Sequence, residues 1–85
     1  MSKPLELPAD FPFDCRIGKV AELLGVKPHV IRFWEQEFGI RSERSRRGQR
    51  VYSRSAVGRL IAIHDLLRNW GFTIAGARKR LKAAR

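Results

Sequence analysis

The chain has 85 residues, 44% hydrophobic and 31% charged, enough for one small domain with one modest core and too apolar for a disordered chain. Its formal net charge of +10 and pI near 11.3 point to a polyanionic partner, nucleic acid ahead of an anionic membrane. The single cysteine, Cys15, excludes an intramolecular disulfide and a Cys-based zinc site.

The charge is uneven. Residues 1–38 carry five basic and six acidic side chains, and residues 39–85 carry thirteen basic and two acidic. No apolar run is long enough to cross a bilayer, and the N-terminus MSKPLELPADFPFD lacks the apolar stretch of a signal peptide. These features, with one cysteine, suit a reducing cytoplasm. Pro4, Pro8 and Pro12 crowd the first residues. Residues 1–14 therefore read as an extended, mobile arm and residues 15–85 as the single domain.

Ile17, Val20, Ala21 and Leu24 recur at i, i+3, i+4, i+7, which predicts a helix with one buried face and Lys19 and Glu22 outside. Gly25 ends it, because glycine takes a positive φ after a helix without steric cost. Pro28 suits the first turn of a second helix, about 28–38, with Ile31, Trp34 and Phe38 on its core face. A turn of about three residues between two such helices is the length expected of a helix-turn-helix. The plain alternative is a helical hairpin in a small bundle. Lys27, His29, Val30, Arg32 and Phe33 fall on the exposed side of the second helix. In a major groove Arg32 can bind guanine bidentately or grip phosphate, and Val30 can touch a thymine methyl.

After Gly39, Ile40–Glu43 and Arg50–Tyr52 read as two short strands around a basic tip, RSRRGQ, which contains Gly48. Such a hairpin is not stable alone and must lean on the helices. Arg44, Arg46, Arg47, Gln49 and Arg50 can face a polyanion, which relieves their mutual repulsion and releases counterions. The alternative is a solvated loop. Ser53 caps a third helix whose stripe runs through Val57, Leu60, Ile61, His64 and Leu67, widened by Ile63 and Trp70. After Gly71, Thr73 caps a last helix with Ile74, Ala77 and Leu81 inward. The elements thus read as mainly α: a helix-turn-helix with about four helices and a short two-stranded β-hairpin. Glu35 is expected to pair with Arg32 or Arg50, His64 to be a satisfied, partly buried histidine, and Trp34 and Trp70 to be core aromatics. No nucleophile–base set, phosphate loop or metal set is legible, so neither an enzyme nor a cofactor is expected.

Four motifs in order resemble the DNA-binding domain of MerR-type bacterial transcription regulators: Ile17-Gly18-Lys19-Val20-Ala21; Gly25-Val26 with Ile31-Arg32-Phe33-Trp34-Glu35; Gly48-Gln49-Arg50-Val51-Tyr52; and Gly71-Phe72-Thr73-Ile74. They span roughly residues 15–82. The resemblance implies a winged helix-turn-helix, with the two-stranded β-hairpin at 40–52 as its wing and a second wing around Gly71. It implies Arg32 on bases or phosphate, Arg50 and Tyr52 on the backbone or minor groove, and residues near Arg68 and Thr73 on phosphate. Phe33 stands where the family usually has tyrosine, so a hydroxyl contact is lost there. The family's long dimerisation helix and effector domain do not appear before Arg85, so self-association is left open.

Double-stranded DNA is the implied partner, with RNA polymerase as a further candidate, and the expected setting is a bacterial cytoplasm, in association with the nucleoid. The second reading is an architectural or assembly DNA-binding protein, like small excisionases or phage packaging subunits, working without an effector domain. A membrane-surface role for the last helix has only Leu81 and alanines as apolar anchors, and no membrane partner is expected.

Overall fold

The structure, a computed structural model, describes residues 14–83. The elements are β1 (Asp14–Arg16), α1 (Ile17–Leu24), α2 (Pro28–Phe38), β2 (Glu43–Arg44), β3 (Arg50–Ser53), α3 (Arg54–His64) and α4 (Ile74–Ala83), with a π-helical turn at Asp65–Asn69 continuing α3. The arm expected over 1–14 lies outside the described residues except for Asp14, which belongs to β1.

The α1–turn–α2 unit is built as its sequence predicts. Val20, Ala21 and Leu24 of α1 and Ile31 and Trp34 of α2 are buried together. Gly25 takes φ 67° after α1, and the Val26 N–H donates to Ala21 O at 3.0 Å, which satisfies one of the carbonyls left over at the helix end. Val26, Val30 and Phe38 pack against this core from its edge. Removing a buried indole such as Trp34 from a core of this kind costs about 3–5 kcal/mol.

The β2–β3 hairpin is the expected two-stranded wing, and among the described residues β1 joins it as a third strand, in the order β1-β3-β2, both pairs antiparallel. Asp14 faces Ser53, Cys15 faces Tyr52 and Arg16 faces Val51; on the other edge Glu43 faces Val51 and Arg44 faces Arg50. Strand β1 answers how so short a hairpin holds its place: β3 is its central strand. Cys15 and Tyr52, directly opposite, are both buried. Burial pushes the Cys15 thiol up, against the lowering effect of Lys19. The strand expected over Ile40–Glu43 is confined to Glu43–Arg44, because Ile40 turns into the core directly after Gly39, its N–H on Glu35 O at 3.0 Å.

Ser53 caps α3, its Oγ accepting the Ala56 N–H at 3.2 Å. Val57, Leu60, Ile61 and Ile63 are buried as the stripe predicts, with Leu67 partly so. The pattern then breaks. The Trp70 N–H donates to Asp65 O, five residues back, so the turn takes in one extra residue and is underwound relative to an α-helix. Trp70 thereby leaves the stripe. It is 53% exposed, with its Nε1–H on Asp65 Oδ2 at 3.2 Å, and is not the core aromatic expected. The same Asp65 accepts from the Asn69 amide through Oδ1. The segment closes where Gly71 takes φ 69° and the Phe72 N–H reaches Leu66 O at 2.9 Å.

Thr73 caps α4 from just before its first residue, its Oγ1 accepting the Gly76 N–H at 3.0 Å. Ala77 is fully buried, and Ile74 and Leu81 pack on the core edge. Arg78 fastens α4 to the end of α2: its Nε donates to Glu37 O at 3.0 Å and its Nη2 lies 2.6 Å from Glu37 Oε1. His64 is only partly satisfied. Its ring sits edge-on to Trp34, centroids 6.3 Å apart, and its buried Nδ1 has no hydrogen-bond partner among the described residues.

Candidate nucleic-acid interface

Helix α2 divides its surface cleanly. Ile31, Trp34 and Glu35 are buried, while His29, Arg32, Phe33 and Gln36 are exposed, with Lys27 exposed just before the first turn. Phe33 is 46% exposed, unusual for so large an apolar side chain, and it lies among these polar groups. Val30 differs from expectation in degree. It is half-buried and packs on the core, so less of its methyl surface is free for a base.

The wing tip is a tight three-residue loop. The Gly48 N–H donates to Ser45 O at 2.9 Å, the Ser45 N–H to Gln49 O at 2.8 Å and the Gln49 N–H to Ser45 Oγ at 3.2 Å. Gly48 takes φ 76° to close it, the geometry of a turn followed by a glycine bulge. Arg46 and Arg47 occupy the turn positions, both exposed, with Gln49 exposed beside them. Arg44 bends back over the loop, its Nη1 donating to Gly48 O at 2.9 Å. It braces the tip while its guanidinium stays on the surface.

Behind the tip, one carboxylate joins the wing to α2. Glu35, 7% exposed, accepts from Arg50 Nη1 at 3.2 Å (Oε2) and 3.4 Å (Oε1), and from the Tyr52 hydroxyl at 2.5 Å (Oε2). Of the two arginines expected as partners of Glu35, the structure selects Arg50. Residues i and i+2 of a strand share a face, so Arg50 and Tyr52 both point to α2, the tyrosine from inside and the arginine from the rim. This corrects the place of Tyr52. The resemblance put it on DNA, yet its side chain is fully buried and offers no surface to a duplex.

The electrostatics follow the geometry. Burial raises the Tyr52 pKa above the ordinary value near 10, reinforced by the hydrogen bond to the Glu35 carboxylate and opposed by Arg50. The Arg50 pKa is raised first by its interaction with Tyr52 and then by the Glu35 charge, so its cation is firmly held. Arg50 keeps 36% of its side chain exposed and can still offer donors outward.

Arg68 is exposed on the π-helical turn, and Thr73 is exposed at the start of α4 with its hydroxyl engaged in the cap. They occupy a different loop from the wing. Sequence reasoning missed Arg78, which holds α2 from 41 residues away; no local pattern announces such a pair. Among the described residues, no three His, Cys, Asp or Glu side chains form a metal-holding group, and no helix is long and apolar enough to cross a membrane.

No curated protein matches the chain. A family model for MerR HTH family regulatory proteins matches residues 15–84, from β1 through α4, and so takes in the helix-turn-helix, the wing and the Gly71 loop together. The chain therefore belongs to the MerR HTH family of DNA-binding regulatory proteins.

Proposed function

We propose that this domain reads specific double-stranded DNA in a bacterial cytoplasm, with α2 in a major groove and the β2–β3 wing on the adjacent backbone or minor groove. The observation that carries the reading is the Glu35 carboxylate, which holds wing and helix in one fixed relation while Lys27, His29, Arg32 and Phe33 on one element and Arg46 and Arg47 on the other stay exposed. Arg32 is the candidate base reader, because guanidinium matches guanine bidentately. Arg44, Arg46, Arg47, Gln49 and Arg50 serve position, with Arg68 and Thr73 on phosphate from the Gly71 loop. Tyr52 acts through Glu35 and Arg50. As a regulator of transcription the domain would meet RNA polymerase at its site.

A salt titration of duplex binding tests this. With roughly six to eight phosphate contacts, affinity should fall about 10³- to 10⁵-fold between 50 and 200 mM salt. Arg32→Ala should cost about 1–3 kcal/mol on the preferred sequence and less on random DNA. Equal losses on both would remove Arg32 from base readout, and no duplex binding at low salt would end the proposal.

A further inference from the structure

A surface groove of about 690 Å³ lies between the end of α2, the outer side of α3 and α4, and it contains none of the residues assigned above to DNA. Its floor is apolar: Phe38, Gly58, Ala62 and Leu81. Its rim carries Arg59, Arg78 and Lys82. Among the described residues the one acid there, Glu37, is already bound to Arg78, so Arg59 and Lys82, both exposed, leave a surplus of positive charge. A Cβ built on Gly58 would meet nothing within 4 Å, so another chain can approach α3 closely at that point.

We propose that this groove binds an acidic amphipathic helix of a partner protein, its apolar stripe on Phe38, Ala62 and Leu81 and its carboxylates toward Arg59 and Lys82. Apolar floor and charged rim are the two halves of helix-in-groove recognition, and charge complementarity selects the sign of the partner. DNA is a poor occupant, because phosphates gain nothing from an apolar floor. A second copy brings a net charge of +10 against a cationic rim. The chain's own first residues hold Leu5, Glu6, Leu7, Asp10 and Phe11, but Lys3 offsets part of their acidity. The groove and the proposed DNA surface share no residue, so both can be filled at once.

The test uses the full chain and a synthetic amphipathic peptide of about 16 residues with Leu or Phe at i, i+3, i+4 and i+7 and Glu on its polar face. A control peptide keeps the apolar pattern and replaces Glu by Lys. Binding is followed by amide chemical-shift mapping. The acidic peptide should shift Gly58, Arg59, Ala62 and Leu81. The joint substitution Arg59→Glu and Lys82→Glu should weaken it at least about tenfold, and Gly58→Gln should block it sterically while thermal melting confirms that each variant is folded. Saturating duplex DNA should leave the shifts in place. Three results would overturn the proposal: equal binding of the Lys peptide, shifts confined to α2 and the wing and lost on adding DNA, or binding that appears only after Leu5, Leu7, Phe11 and Phe13 are changed to Ser, which would give the groove to the chain's own first residues.

Discussion

Glu35 is an acid inside a basic surface, and its worth lies in its two donors. A buried carboxylate deprived of a donor keeps its desolvation cost, so Tyr52→Phe should destabilise the domain by about 1–3 kcal/mol in urea unfolding. The same change should weaken binding to every DNA sequence alike, because it loosens the wing and removes no base contact. Tyr52 is the sole tyrosine, which makes its ionisation directly visible. Its folded pKa is raised, so the stability linked to its proton is complete below about pH 10 and is lost as pH climbs beyond it. Tyrosinate absorbance should therefore appear near pH 10 in urea and only at higher pH in the native protein. The acid's role as an internal partner was legible, since an isolated Glu among arginines needs a cation. The burial of Tyr52 was not, because a motif states where a residue stands in the chain and not which side of the pleat it takes.

At the scale of elements, what reads well is what is local. The Ser53 and Thr73 caps and the end of α1 at Gly25 depend on hydrogen bonds spanning a few residues, and each stands where its sequence places it. Thr73→Ala should cost about 1 kcal/mol of stability and fray the first turn of α4, measured by unfolding and by amide exchange at Gly76. Trp70 misled because an α-helical stripe assumes constant winding. The π-helical turn inserts one residue of rotation at Asp65–Asn69, and every later side chain is turned away from the extrapolated face. Strand β1 was hidden for a related reason: three residues have no period of their own, and only their pairing with β3 makes them a strand.

For the whole molecule, stability and charge meet at His64. Burial lowers its pKa, aided by Arg68 and opposed by Asp65, so the fold favours the neutral ring. The unfolded chain takes up a proton near pH 6.5 that the folded chain resists. Stability is therefore complete above that pH and falls as pH drops through it toward the lower folded value. Urea midpoints from pH 7.5 down to 5.5 should show this decline, and His64→Gln should flatten it. The domain's architecture was largely legible because four motifs of different periods agree on one fold. The α4–α2 clamp through Arg78 was not, since it joins residues distant in the chain. The wing also has a thermodynamic consequence for how DNA affinity answers to salt. Arg50 carries a resident anion in Glu35, so it holds little of the ion atmosphere that a bare cation exchanges on meeting phosphate. Among the described residues the tip arginines have no such tenant. The slope of affinity against salt should thus count Arg46 and Arg47 in full and Arg50 only in part, making that slope a census of unsheltered charge and not of contacts.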